Sequence, residues 1–383
     1  MKPALLLLSK DTPKYLLEEL EALARVASYE VKCIVKLRRR GGSFHLTRAK
    51  LNEILEKIRE LNIEAIICAV PLPPSSFIRL QKETGKHVID RTLLLLEVFD
   101  KNAGTKEAKL QIETAMFKHW LPILKESINI LKRGELPGFM GGGAYAVDRY
   151  YLHVRRKIAR NTRELEKIGR KRQMSRTRRR ELGLPLIAIT GFANAGKTTL
   201  FNVLTGSSKP TGDIPFTTLS TKVSKCAFRL ENGSSLEMLF IDTVGLIVNV
   251  PAEIIEAFYS TLEEIVAADV IVFVLDASEE ESIVKLKIRE AKSTFANIGA
   301  LNNPVIVALN KIDLIEEPGR VVEAVSSELR KSFPNLIGVV PISAKMKVGI
   351  ESLVQRIWES LNQKLTSYEL AIDLKETRGS QLT

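Results

Sequence analysis

The chain has 383 residues, about twice a usual domain, so two or more domains are expected rather than one enlarged core. Hydrophobic residues make up 45% and charged residues 27%, which excludes a chain disordered along most of its length. The formal net charge of +12 is concentrated: Arg149 to Glu181 holds fourteen basic and three acidic residues, so +11 lies within 33 positions and the rest is close to neutral. Three cysteines, Cys33, Cys68 and Cys226, are odd in number and scattered through apolar runs, which argues against a disulfide framework or a zinc site. The apolar run near Met1 spans only five residues and none elsewhere approaches a bilayer's thickness. A cytoplasmic protein without membrane association is therefore expected.

From Ala4 the chain alternates strand and helix patterns. A strand over Ala4–Ser9 precedes an amphipathic helix over Pro13–Ala27, a strand over Val31–Val35, a helix over Thr47–Leu61 and a strand over Glu64–Val70. Apolar strands separated by helices pair in parallel, because parallel neighbours need a long crossover. Residues 1–104 thus read as a small α/β domain, which re-enters apolar sequence around Val88–Thr92. Lys36-Leu-Arg-Arg-Arg-Gly-Gly42 reads as a solvated loop, and no phosphate motif stands in residues 1–100.

Residues 105–181 read as a helical hairpin and basic linker. Leu110, Phe117, Leu121, Leu124, Ile128 and Leu131 form an apolar stripe at helical spacing, with Pro122 expected to kink it. Pro137, Gly138 and Gly141–Gly143 mark a break, and a second stripe follows at Tyr151, Val154, Ile158, Leu165 and Ile168, interrupted by Asn161 and Thr162. No stripe survives from Arg170 to Arg180, where an exposed linker or frayed end is expected.

Residues 184–363 read as a doubly wound α/β domain, with strands over Leu186–Thr190, Glu237–Ile241, Val270–Leu275, Val305–Leu309 and Ile337–Ile342. Residues 364–383 are weakly patterned and read as a tail. Between the first strand and a helical run stands Gly191-Phe192-Ala193-Asn194-Ala195-Gly196-Lys197-Thr198-Thr199, a phosphate-binding loop. Its glycines let backbone N–H groups face phosphate at a helix N-terminus, Lys197 neutralises the β- and γ-phosphates, and the Thr198 hydroxyl suits Mg²⁺. Asp242-Thr243-Val244-Gly245 closes the next strand, where Asp242 would hold a Mg²⁺-bound water and the Gly245 N–H would sense the γ-phosphate. Asn310-Lys311-Ile-Asp313 closes another. A carboxylate there accepts from guanine N1–H and the exocyclic amine, a donor pair adenine lacks, which makes GTP rather than ATP the substrate. Ser343-Ala344-Lys345 closes the last strand and would bring the Ala344 N–H to the guanine oxygen.

Phe216-Thr217-Thr218-Leu219-Ser220 lies where a switch loop should supply a threonine to Mg²⁺ and the γ-phosphate; Thr218 is the choice and Thr217 its competitor. Catalysis is thus assigned to Lys197, Thr218 and Gly245. Leu246 follows the Asp-x-x-Gly motif where GTPases of the Ras type carry a water-orienting Gln, so hydrolysis without a partner should be slow.

These segments resemble the HflX GTPases. Gly191–Asn202 with Leu204-Thr205, Phe216–Leu219, Asp242–Ile247 and Ala257–Glu264 look like that family's GTPase domain. Val88–Thr92 and Thr105–Glu113 look like its own N-terminal half. The resemblance spans about residues 1 to 365. It implies GTP hydrolysis with Mg²⁺, association with the rRNA and proteins of the large ribosomal subunit, and a role in ribosome splitting, rescue or biogenesis. In some relatives it also implies ATP hydrolysis through the N-terminal domain. Two positions depart from the pattern: a Gly-Pro-Gly-Glu segment is here Gly141-Gly-Gly-Ala-Tyr-Ala-Val147, and the phosphate loop ends in Thr198 instead of Ser, which keeps the hydroxyl. A monomer is expected. A GTPase driving RNA modification is disfavoured because residues 1–104 lack a metal cluster, nucleophile pair or methyl-donor loop. A membrane anchor is disfavoured because the basic arm lacks Trp and Phe and any lipidation signal.

Overall fold

The computed structural model describes residues 1–40, 43–132, 143–181, 183–207, 222–229, 235–243, 245–246, 254 and 262–363. It divides into two compact units, the first built mainly from Met1–Lys171 and the second beginning at Arg172.

In the first unit, β1 (Lys2–Ser9) pairs in parallel with β2 (Tyr29–Arg40) and β4 (Ala65–Cys68), and β4 with β5 (His87–Asp90). The short β3 (Ser43–His45) runs antiparallel to β2, giving the order β3-β2-β1-β4-β5. Ala4 to Leu8 are all buried, as expected of a central parallel strand covered on both faces. The segment expected as a solvated loop is instead extended: Lys36 to Arg40 belong to β2, and Gly41 and Gly42 lie outside the described residues.

Helices α1 (Lys14–Val26), α2 (Arg48–Glu60), α3 (Pro74–Thr84) and α4 (Arg91–Asn102) complete the unit. The Thr47 hydroxyl accepts from Lys50 N–H and caps α2. α3 was not among the expected elements; it follows Pro71 and Pro73, and Pro74 occupies its first turn, where the missing N–H costs nothing. α4 buries Leu93 to Leu96, so it is apolar nearly all round and carries no helical stripe.

α5 (Lys106–Lys132) runs through Pro122 as one element, and α6 (Gly143–Glu181) extends through Arg170–Arg180, correcting the expected fraying. That tract is rich in Arg, Lys and Gln, which favour helix without help from a buried face. The two helices pack antiparallel. Lys106 pairs with Glu164 at 2.9 Å, and Glu113 accepts from Asn161 Nδ2 at 2.7 Å. Leu124, Ile128, Val147 and Val154 form the buried seam, with Phe117, Leu121, Leu131, Tyr151 and Ile158 against it. Each such aliphatic side chain contributes roughly 1.5–3 kcal/mol on full burial. Asn161, which breaks the apolar pattern, is buried and satisfied by its bond to Glu113.

The second unit has a six-stranded sheet, β11-β10-β9-β6-β8-β7. Five strands are parallel: β6 (Leu186–Gly191), β8 (Ser235–Asp242), β9 (Val270–Asp276), β10 (Val305–Asn310) and β11 (Leu336–Pro341). The edge strand β7 (Lys222–Arg229) is antiparallel to β8 and was not foreseen, because its Lys, Ser and Arg positions dilute the apolar signal. Around the sheet lie α7 (Lys197–Thr205), α8 (Glu281–Ile298), α9 (Pro318–Ser332) and α10 (350–363). Phe273, Phe295 and Phe333 pack with centroids 5.5–6.0 Å apart and join α8 to the sheet. Among the described residues, no helix is long and apolar enough to cross a membrane.

Candidate guanine-nucleotide site

The carboxyl ends of β6, β8, β9 and β10, with the turn after β11, bring the motif residues of the second unit together. After β6 the chain turns through Gly191 (φ 151°), Asn194 (φ 63°) and Gly196 (φ 91°) before α7 starts at Lys197. Two of these positions exclude a side chain outright. A Cβ on Gly191 would stand 2.3 Å from the Val274 carbonyl oxygen, and one on Gly196 would stand 2.3 Å from Asn310 Nδ2.

Lys197 is buried, and its Nζ donates to the Phe192 carbonyl oxygen at 2.6 Å. Burial lowers its pKa to about 8, with the Asp242 carboxylate opposing that shift and Lys287 adding to it. Gly245 is adjacent, since a Cβ there would come within 3.1 Å of Lys197 Nζ. Thr198 Oγ1 lies 3.4 Å from Asp242 Oδ2, so a hydroxyl and a buried carboxylate meet at the start of α7. Hard oxygen donors in that pairing fit Mg²⁺.

Not every residue of the motifs turns toward this cleft. Thr243 is buried, its N–H and hydroxyl both directed to the Ile189 carbonyl, so its side chain ties β8 to β6. Phe192 is buried edge-on to Phe273, leaving its backbone for the loop, and Lys287 Nζ stands 5.5 Å over its ring. Leu246 N–H donates to Gly191 O at 2.8 Å and its side chain is buried.

Asn310 joins the phosphate loop to the turn after β11. Its Nδ2 donates to Ala195 O at 2.8 Å and its Oδ1 accepts from Ala344 N–H at 2.9 Å, all in the interior. Lys311 follows in the left-handed region (φ 66°), and Asp313 sits in a 3-10 turn, exposed, with Oδ1 accepting from Ser343 Oγ at 2.6 Å. Ser343 Oγ also receives Met346 N–H at 3.1 Å, and Lys345 is exposed. Ala193 and Thr199 line the same loop and first turn, both half-buried. Phe216, Thr217, Thr218, Leu219, Ser220 and Val244 lie outside the described residues. Asp276, which belongs to none of the sequence motifs, pairs with Lys311 at 2.6 Å. Its signal was available: like Asp242 and Asn310, it is the polar residue that ends a buried strand.

Comparison with known proteins fits this geometry. Residues 186–311 match the family described as 50S ribosome-binding GTPase, residues 102–179 the GTP-binding GTPase middle region, and residues 14–100 the GTP-binding GTPase N-terminal region. The chain is 44% identical to GTPase HflX of Hyperthermus butylicus over 364 residues, spanning 93% of this chain and 95% of that one. The chain belongs to the HflX GTPase family. It is 35% identical to GTPase HflX of Saccharolobus solfataricus, spanning 95% of this chain and 99% of that one. A crystal structure of SsGBP in complex with GDP is 30% identical, with a TM-score of 0.54, covering 95% of this chain and 99% of that chain. As an HflX GTPase, the protein is a GTP hydrolase with a GTPase domain of the 50S ribosome-binding type.

The part of the +11 segment that belongs to the first unit, Arg149–Lys171, has its own geometry. Arg149, His153, Arg156, Arg160, Arg163, Lys167 and Arg170 are all exposed on α6, at successive spacings of four and three residues. Such spacing keeps them on one face of the helix, as a ladder roughly 31 Å long at 1.5 Å per residue. Tyr150 stands at its start, 47% exposed and stacked on His153.

Proposed function

We propose that this GTPase binds the large ribosomal subunit and uses GTP binding and hydrolysis to change its hold there, in ribosome splitting, rescue or assembly. The observation that carries the ribosomal part is the ladder on α6: six exposed Arg and Lys side chains, with His153 among them, match RNA phosphate, whose neutralisation releases counterions.

In this reading Lys197 holds the β- and γ-phosphates, while the N–H groups of the 191–197 turn line them. Thr198 and, from the switch loop, Thr218 would hold Mg²⁺, and Asp242, beside the Thr198 hydroxyl, would hold a water bound to it. Bound there, the ion would neutralise charge developing on the phosphoryl oxygens. Gly245, beside the lysine ammonium, presents its N–H to the γ-phosphate. Asp313 accepts from the guanine edge and the Ala344 N–H donates to the guanine oxygen. Asn310 keeps base and phosphate ends in register through its two bonds.

Leu246 gives this GTPase its dependence on a partner. Its side chain is buried and apolar, so it cannot orient water. The attacking water then takes its orientation from another loop or from the ribosome. Steady-state GTP hydrolysis by the full chain, alone and with purified large subunits, tests this: stimulation of about 100-fold or more is expected for a supplied transition-state group. Fast turnover unaffected by subunits would overturn the proposal.

A further inference from the structure

The geometry points to Asp276 as a positioning residue for guanine-nucleotide binding, one that acts by fixing Lys311. The inference rests on the reading of Asn310–Asp313 as the base-recognition segment. Asp276 and Asn310 are register partners at the carboxyl edge of β9 and β10, so the two strands deliver them side by side. Asp276 is 6% exposed and both its oxygens are used. Oδ2 meets Lys311 Nζ at 2.6 Å; Oδ1 accepts from Ser278 N–H at 3.0 Å and Ser278 Oγ at 2.6 Å. Ala277 N–H also donates to Asn310 O at 2.8 Å, so the turn after β9 is tied to the residue just before Lys311.

Lys311 needs such an anchor. It sits at φ 66°, which a residue with a Cβ rarely adopts, and it opens the 3-10 turn that carries Asp313. A lysine side chain carries four rotatable methylenes, whose freedom would otherwise be lost when a ligand arrives. Asp276 removes that cost before binding and holds Lys311 in the conformation that presents Asp313. A carboxylate locked by Ser278 cannot swing to follow a mobile lysine, so the lysine conforms to it.

The test is a double-mutant cycle in the full chain, read by GDP affinity and by steady-state GTP hydrolysis. Asp276→Ala is expected to weaken GDP binding about tenfold and to raise KM by a similar factor, leaving kcat within about twofold, the pattern of lost ground-state positioning. Asp276→Asn, which keeps the shape and the acceptor for Ser278, is expected to fall between. It also serves if the alanine variant does not fold. Combined with Lys311→Ala, either substitution should add almost nothing to the loss from Lys311→Ala alone. Additive losses, or an unchanged GDP affinity in both Asp276 variants, would overturn the inference. Asp313→Asn tests the underlying reading separately, through relative affinity for guanine and xanthine nucleotides. An unchanged preference for guanine there would remove the base-recognition reading, whatever Asp276 does.

Discussion

Both units are built on a mostly parallel sheet with helices packed against it, and they differ at the carboxyl edge. In the second unit the backbone enters the left-handed region at helix ends such as Gly206 and Gly299, and also at Asn194, Gly196 and Lys311, where a strand leads into a helix or turn. That conformation turns successive N–H groups inward and makes a cradle for an anion. Among the described residues of the first unit the left-handed positions are Ser28, Asn62 and Gly85, all at helix ends. Its helices α1 and α3 begin after Pro13 and Pro73, and Pro74 follows, so those starts offer fewer N–H groups. Its strand-end carboxylate, Asp90, is fully buried and spent internally: Oδ1 on Leu93 N–H at 2.9 Å, Oδ2 on Leu72 N–H at 3.2 Å and near His119 Nε2 at 3.2 Å. Strand-end groups are buried in both units; the second becomes a binding edge through the left-handed backbone turn between Gly191 and Lys197 beside them, whereas in the first Asp90 is a keystone satisfied within.

That contrast can be broken by substitution. Lys197→Ala should reduce GTP and GDP affinity by more than about 100-fold, since a buried cation facing the phosphates is lost. RNA affinity of the α6 ladder should persist. Equilibrium binding of fluorescent GDP and of rRNA fragments reads both, and a joint loss would mean the two sites are not separable. Asp90→Ala should act on folding instead, costing about 3 kcal/mol because Leu72 and Leu93 N–H groups are left buried without their acceptor. Denaturant unfolding measures that cost, and a destabilisation below about 0.5 kcal/mol, the size of an ordinary surface substitution, would deny Asp90 its keystone role.

A subtler effect is expected from pH. With its pKa lowered to about 8 in the ligand-free protein, Lys197 is half deprotonated near that pH. Affinity for GDP should thus fall several-fold between pH 7 and 9, with proton uptake on binding near pH 8. The sign for folding is opposite. The unfolded chain holds this proton up to its ordinary pKa of 10.5, so the lysine's burial penalty is complete below pH 8 and is relieved as pH rises toward 10.5. Calorimetry in buffers of different ionisation enthalpy detects the uptake; binding without proton exchange at pH 8 would contradict the assignment. The smallest change is expected on the ladder. Arg156→Ala with Arg160→Ala should lower the salt dependence of RNA binding by about two phosphate contacts while leaving GDP affinity unchanged.

How much of this was legible in the sequence follows from the physics of each element. The phosphate loop, Asp242 and Asn310 announced themselves because each ends an apolar run with a polar or glycine residue that packing alone would not choose, and Asp313 follows Asn310 at a fixed spacing. The antiparallel pair α5 and α6 was legible because its seam repeats at helical spacing. β2 beyond Val35, the edge strand β7 and helix α3 were not. Their cues, Arg and Lys on an exposed strand face and prolines at a helix start, are the same as those of a loop. The tract from Arg170 was misread because a helix carried by side-chain propensity leaves no apolar stripe. Asp276 needed the register between β9 and β10, which no local pattern contains. Its pairing with Lys311 comes from two strand ends 35 positions apart being made neighbours by the sheet.

The central claim is that guanine nucleotide governs attachment to the large ribosomal subunit. Co-sedimentation of the full chain with purified large subunits, in GDP, in a non-hydrolysable GTP analogue and without nucleotide, tests it most directly. The account predicts tight association with the GTP analogue, weakened by about tenfold or more with GDP, as expected for a switch with a typical coupling energy. Equal binding in all three states, or none in any, would contradict it.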